Sequence, residues 1–394
     1  MKGRLGRSEG MEGRIDPADP VLAGVRVLDF GRYIAAPLCA ALLADLGADV
    51  IRVEPASGAS DRDVMPLGPD RDGALYSQMN RGKRSLAIDF GDPHESPVLR
   101  SLVAASDVVV VNMPPRQLAK AGLSYDRLKA LKPDIILTTI SAYSTTGSGS
   151  NLTGFDGTGQ ALSGAMHITG DGTMPTRAAV SYVDYSTGIS AAYATLAAII
   201  RHMRTGHGQH VETSLLRNAL AIMNPILIEV ATGVRSRRAT GNRSPISGPS
   251  DAFRSADGWV MIQVIGDVMF ARLAELIGRP DLVGQDDYAS DIARGENGAA
   301  LSEIVANWCR TRSSADIMSS LSEVRIPCVP ILTPAQAMQS PELQGGGYFS
   351  YPGARDVPVV APLARIAGSA ELRPSPRLGE HNEEILREIG VGPA

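Results

Sequence analysis

The chain has 394 residues, 44% of them hydrophobic and 20% charged, with a formal charge of -4. That length accommodates more than one domain core, and the near-neutral balance gives no electrostatic basis for partnership with nucleic acid or an anionic lipid surface. Cys39, Cys309 and Cys328 lie far apart without metal-ligand spacing, which suits buried thiols in a reducing, cytoplasmic compartment rather than a disulfide framework or a metal centre.

Residues 1–20 are polar and glycine-rich and read as a disordered tail, with Met11 a second candidate start and no signal-peptide core. VRVLDF (25–30) has the pattern of a buried strand, APLCAALLADLG (36–47) that of a helix closed by glycine, and DVIRVE (49–54) that of a second strand. Together they form a βαβ unit, which implies a parallel sheet with a right-handed crossover. The pattern recurs as a helix near 96–105, a strand DVVVVN (107–112), a helix near 116–130 and a strand DIILTTIS (134–141). This half is therefore expected to be α/β, a doubly wound, Rossmann-like parallel sheet. Ligands in such sheets sit beyond the carboxyl ends of the strands, where Asp29, Glu54, Asn112 and Ser141 fall.

TTGSGSNLTGFDGTG (145–159) is a loop by composition. The next helix is expected to start near Tyr185–Thr187 and to run to about Thr205, where Gly206 and Gly208 stop it; HVETSLL (210–216) then continues as strand and helix. The longest apolar run, ATLAAII (194–200), is too short to cross a bilayer. ATGVRSRRATGNRSPISGPS (231–250) reads as a connection into a smaller α+β domain. That domain would hold a hairpin-like strand ADGWVMIQV (256–264), helices near 267–277 and 299–310, and VRIPCVPIL (324–332). PRLGEHNEEILREIG closes the chain as a helix.

Several chemistries lack their motifs. There is no P-loop, no HExxH, no CxxC and no GxSxG, and DFGRYIAAP stands where a dinucleotide enzyme would carry GxGxxG. His207 and His210 flank glycines instead of sharing a helix face, so no metal pair is expected. One acid draws notice. Asp184 stands in front of a long apolar run, and no other acid follows until Glu212. A carboxylate there serves either as a helix N-cap or as an ionised reagent beside a helix N-terminus, with Ser186, Thr187, Gly188, Ser190, Ala191 and Ala192 leaving room for a substrate. Residue type alone leaves both uses open.

Four segments in fixed order, GVRVLDFGRYIAAPLCAALLADLGADVIRVEP (24–55), NRGKRSLAIDF (80–90), TGHGQ (205–209) and RLGEH (377–381), resemble class III CoA-transferases, a family that also contains the α-methylacyl-CoA racemases. The resemblance runs from about residue 20 to the C-terminus. It implies movement of CoA from an acyl-CoA to a free carboxylic acid, with CoA as substrate and no permanently bound cofactor or metal. The family's nucleophile, in the stretch reading SYVDYSTG here, falls on Asp184. The implied intermediates are an aspartyl–acyl anhydride and then an aspartyl-CoA thioester.

The implied CoA contacts are Ile34 and Ala35, Ile88, Asp89, Phe90 and Gly91, Asn112, Met113 and Pro114, Lys120, and Leu152, Thr153, Gly154 and Phe155. Lys120 and Arg116 are the local cations for the nucleotide phosphates, and Arg81, Lys83 and Arg84 of NRGKR are expected to shape the region. The implied architecture is an interlocked homodimer, with a large domain from 21–231 and 326–394 and a small domain with linkers from 232–325.

Racemisation needs a histidine in a GH[DE] stretch that reads Gly154, Phe155, Asp156 here, and phenylalanine shuttles no proton. The transferase branch is therefore expected over the racemase alternative. A non-catalytic CoA-ester-binding protein, the remaining alternative, would not need Asp184. The oxalate-specific branch carries glutamine at the position of Ile34 and a glycine-rich loop where GNRSPISGPS (241–250) stands. These departures, with the arginines of 235–243, point to a larger acyl group and a succinyl-type dicarboxylic donor.

Overall fold

Apolar β-branched segments become the strands of a parallel sheet in the computed structural model, which describes residues 19–392 except 69–71, 145, 147–148, 354–356, 361 and 365. All but the last two residues of the expected tail 1–20 lie outside the described residues. The first half runs β1 (Arg26–Asp29), α1 (Ala35–Asp45), β2 (Asp49–Glu54), α2 (Ala74–Met79), β3 (Arg84–Ala87), α3 (Pro97–Ala104), β4 (Val108–Val111), α4 (Pro115–Lys120), α5 (Tyr125–Leu131) and β5 (Ile136–Ser141). It continues through α6 (Asp156–Leu162), α7 (Ala165–Ile168), α8 (Tyr182–Thr205), β6 (His210–Ser214) and α9 (Leu215–Ala231). Then come β7 (Asp251–Arg254), β8 (Trp259–Ile262), α10 (Asp267–Leu276), α11 (Asp291–Glu296), α12 (Gly298–Cys309), α13 (Ser314–Glu323) and β9 (Cys328–Pro330). Helices α14 (Pro334–Gln339), α15 (Pro341–Gly345) and α16 (Asn382–Glu388) follow.

Strands β3-β2-β1-β4-β5-β6 form one sheet in that order, every pair parallel, which is the Rossmann order. Both faces are covered, so the strands alternate sides without alternating polarity. Val27, Val108, Val110, Ile136 and Ile140 face a core shared with α1 and α8. Leu28, Val109, Val111 and Leu137 face the opposite core with α3, α5 and α16.

The expected helix over 116–130 is two helices, because Gly122 turns the chain at φ +68. Strand β3 has no apolar signature to announce it. Its Ser85 and Ala87 bond to the C-terminal segment: Ser85 accepts from His381 N at 3.2 Å, and Ala87 exchanges bonds of 2.8 and 2.9 Å with the Asn382 amide. The sheet edge at β3 is thereby closed against further pairing.

The chain divides into two units, one from 1–163, 179–223 and 347–394, the other from 164–178 and 224–346. These divisions stand apart from the boundaries expected at 231/232 and 325/326. Strand β9 pairs antiparallel with β8, Val260 opposite Pro330 and Ile262 opposite Cys328, so 326–346 belongs with the three-stranded sheet β7-β8-β9. The core of that unit gathers Phe253, Val260, Phe270, Leu273, Leu301, Val305 and Leu321. Among the described residues no helix is long and apolar enough to cross a membrane.

Candidate active site

The loops at the carboxyl ends of β1, β4 and β5, with the start of α8, build the site. After β1 the chain turns sharply: Gly31 N donates to Asp29 Oδ1 at 2.8 Å, and a Cβ on Gly31 would lie 2.4 Å from that of Ala36. Only glycine fits. Asp29 is fully buried, with Lys83 Nζ at 2.7 Å and Arg52 at 3.9 Å. Burial alone would raise its carboxyl, but the two cations hold it below the ordinary value. Arg52 donates to Gly31 O and to both oxygens of Asp61, and Asp61 accepts from Tyr33 N at 3.0 Å. Tyr33 sits at φ +65, a left-handed position rarely occupied by an aromatic residue. After β4, Asn112 clasps the first loop from the side. Its Oδ1 accepts from Arg32 N and its Nδ2 donates to Arg32 O, both at 2.8 Å.

A cavity of about 420 Å³ opens beyond β1, β4 and β5. β1 and β4 are the neighbours at which the strand order reverses, where doubly wound sheets bind ligands. It brings together Ile34, Ala35, Asn112, Met113, Pro114, Leu152, Thr153, Gly154, Phe155 and Asp184. A second cavity of about 370 Å³, beyond β2 and β3, is lined by Ile88, Asp89, Phe90 and Gly91, with Glu54, Pro55 and again Met113. Lys120 lines neither cavity; it is exposed at the end of α4, beside Ala121, which lines the second. Arg116 is likewise exposed and outside both linings.

Arg32, Tyr33 and Gln117 line the first cavity without having been expected there, and Arg32 lines the second as well. The available signal was position: Arg32 and Tyr33 directly precede Ile34 in the turn after the first strand. The Tyr33 ring meets Phe155 edge-on, centroids 6.0 Å apart, at the cavity wall.

Asp184 is the third residue of α8, so the helix starts three residues or more before the expected Tyr185–Thr187. It is not the cap. Asp156, at the start of α6, fills that role: its Oδ1 accepts from Val183 N at 2.8 Å and Asp184 N at 3.2 Å, while Oδ2 accepts from Gln160 Nε2 at 2.5 Å. Among the described residues no group donates a hydrogen bond to the Asp184 carboxylate. Burial first, and the negative charge of Asp156 second, push it from the usual 3.8 up to about 7. Burial thus works against the ionised form that the helix N-terminus was expected to favour.

The small residues after Asp184 also differ from expectation. Thr187, Gly188, Ala191 and Ala192 are buried against α1 rather than open to a substrate. A Cβ on Gly188 would stand 2.8 Å from Ala35 O and 3.0 Å from Leu38 Cβ. The stripe serves close helix packing, and that packing fixes Asp184 relative to Ile34 and Ala35.

The NRGKR cations work within the fold. Arg81 pairs with Asp45 at 2.5 Å, Lys83 with Asp29 and with Pro37 O at 2.8 Å, and Arg84 with Asp49, Glu384 and Glu388. In the second unit Arg235 pairs with Glu296 and Arg237 with Glu229, each at 2.5 Å, so two arginines expected to meet a substrate carboxylate already have internal partners. Among the described residues no three metal-ligating side chains gather.

This geometry has relatives. The profile of CoA-transferase family III matches residues 22–382. A succinate–glutarate CoA-transferase of Agrobacterium fabrum is 33% identical over 94% of this chain and 96% of its own length. A succinyl-CoA:mesaconate CoA-transferase of Haloarcula hispanica is 33% identical over 94% and 97%. Among solved structures, a CaiB/BaiF family protein of Brucella suis superposes with a TM-score of 0.82 at 30% identity, covering 94% of this chain and all of that one.

Proposed function

This chain belongs to CoA-transferase family III, and on that premise we propose that it moves CoA from a succinyl-type dicarboxylyl thioester to a free carboxylic acid, with Asp184 as the covalent carrier. The observation that carries this reading is the Asp184 carboxylate itself, half-buried in the first cavity with no donor on it among the described residues. A structural acid would be satisfied by its neighbours; this one is left for a ligand. The dicarboxylic class rests on the relatives, whose names specify succinyl-CoA with glutarate or mesaconate, or succinate with glutarate.

In the proposed sequence the ionised carboxylate attacks the thioester carbonyl, CoA leaves as thiolate, and an aspartyl–acyl anhydride forms. The thiolate then attacks the aspartyl carbonyl of the anhydride, releases the donor acid and leaves an aspartyl-CoA thioester. The acceptor carboxylate attacks that thioester, expelling CoA thiolate and forming a second anhydride. The thiolate then attacks the acceptor's acyl carbonyl, giving the new acyl-CoA and releasing the Asp184 carboxylate. Every charge moved is an anion, so desolvation strengthens each nucleophile in turn. Phe155 stands where proton transfer at the α-carbon would need a histidine, which favours transfer over racemisation.

The CoA nucleotide is assigned to the second cavity and the pantetheine thioester to the first, with Lys120 adding charge at the outer rim beside Ala121. Ile189, Tyr193, Ile200 and Met203 form an exposed apolar face on α8, which supports a homodimer; sedimentation of the purified protein checks it. The test of the reaction is mass spectrometry of protein mixed with succinyl-CoA and quenched with hydroxylamine. A hydroxamate at Asp184 is the expected product, and its absence under turnover would remove the reading.

A further inference from the structure

The charged side chains around the loop after β1 nearly all have carboxylate partners. Arg52 has Asp61, Arg62 has Glu54, Lys83 has Asp29 and Arg81 has Asp45. Arg32 does not. Among the described residues its guanidinium makes no ion pair or hydrogen bond, although its backbone N–H and C=O are both held by Asn112 at 2.8 Å. It is half-buried and is, with Met113, one of the two residues that line both cavities.

We propose that the Arg32 guanidinium binds the diphosphate of CoA where the molecule crosses from the second cavity to the first. This rests on the assignment above, nucleotide in the second cavity and thioester at Asp184. Given that assignment, the part of CoA lying between nucleoside and pantetheine is the diphosphate, and the cation at the junction is Arg32. A planar guanidinium matches two phosphate oxygens with parallel N–H donors, which an ammonium does not. The mount is rigid before ligand arrives: Gly31 has no room for a side chain, Tyr33 is fixed at φ +65, and Asn112 grips residue 32 from the neighbouring loop. With the backbone already fixed, only the side-chain rotamers of Arg32 remain to be ordered on binding. Glu54, the buried acid in the second lining, has both oxygens engaged by Arg62 and leaves Arg32 free for the ligand.

The experiment compares succinyl-CoA with succinyl-pantetheine, which carries the same thioester but no phosphate, in wild type and Arg32→Met. Wild type is expected to prefer the CoA ester in KM. Arg32→Met is expected to lose about 10- to 100-fold of that preference, the scale of a charge-assisted phosphate contact, and Arg32→Lys to restore part of it. An equal loss on both esters would overturn the proposal, since it would mark a structural role or recognition of the acyl carboxylate. So would a loss seen with succinyl-CoA but absent with butyryl-CoA, which keeps the diphosphate and lacks the second carboxylate. Wild-type protein with no measurable affinity for CoA would instead remove the assignment underneath; wild-type affinity with an unchanged preference in Arg32→Met removes this inference alone.

Discussion

Asp156 holds the start of α8 by accepting from the backbone N–H groups of Val183 and Asp184, and its charge makes the Asp184 carboxyl harder to ionise. Cap and perturbing charge are one side chain. Asp156→Asn separates them, since the amide oxygen still accepts from both N–H groups while the charge is gone. Asp184 acts ionised, so kcat/KM for the acyl-CoA in wild type is expected to rise with pH through about 7. In Asp156→Asn that limb is expected to move to lower pH at little cost in stability, whereas Asp156→Ala loses the cap and about 1 kcal/mol. A pH–rate profile with the limb unmoved in Asp156→Asn contradicts this assignment of the charge.

Replacing the reagent itself has consequences of opposite sign for activity and stability. Asp184→Asn should cost roughly 10⁴-fold or more in transfer, because an amide cannot form the anhydride. Folded Asp184 binds its proton more tightly than the unfolded chain does, about 7 against 3.8. The stabilisation this brings is present in full below about pH 4 and is lost as the pH climbs to about 7. Above that the wild type holds a poorly solvated charge that the variant lacks. Asp184→Asn is therefore expected to match wild type near pH 4 and to exceed it at pH 8 by about 1–3 kcal/mol. Urea unfolding at the two pH values reads the difference; equal gaps at both would contradict it.

How much of this is legible in the sequence depends on how far apart the interacting residues lie. β4 is legible as an unbroken apolar run, and β1, β2 and β5 as short segments centred on Val, Ile and Leu with both faces buried. β3 is not: its Arg84 and Ser85 are buried by partners some 300 positions away in the C-terminal segment. The cavity wall follows from the rule that ligands sit beyond strand ends, which selects Asn112 directly. The environment of Asp184 does not, because the acid that caps its helix is 28 residues upstream in a stretch that reads as loop. A run of glycine, serine and alanine looks the same whether it admits a substrate or a neighbouring helix. Only the position of α1 distinguishes the two.

That ambiguity yields a prediction at Gly188. In an isolated helix, Gly→Ala gains about 1 kcal/mol. Here the added methyl would meet Ala35 O at 2.8 Å and Leu38 Cβ at 3.0 Å, and backbone oxygen does not yield as a side-chain tip does. Gly188→Ala is expected to destabilise by about 1–3 kcal/mol. By pushing α8 from α1 it also shifts Asp184 relative to Ile34 and Ala35, so kcat should fall more than CoA affinity. Thermal unfolding with kinetics on the same sample checks both parts; a stabilised, fully active variant contradicts the packing role.

Lys83 anchors the site from beneath. Burial lowers its ammonium to about 8 against the pull of Asp29, so the pair stays charged at neutral pH and joins β1, α1 and the turn before β3 through Asp29, Pro37 O and Asn80. Lys83→Met leaves Asp29 in the core with Arg52, 3.9 Å away, as its remaining cation. Removing one partner of a buried pair costs about 3–5 kcal/mol, and the loss should appear as a lower urea midpoint. Asp29 Oδ1 also fixes Gly31 N, so the loop carrying Arg32 and Ile34 should loosen and CoA affinity should fall with stability. Adding Asp29→Asn removes the stranded charge and is expected to recover part of the stability. It should not recover the affinity, because a neutral amide has lost the ionic partners that held the turn. A double variant no more stable than Lys83→Met would show that the lysine's packing, not its charge, holds this corner together.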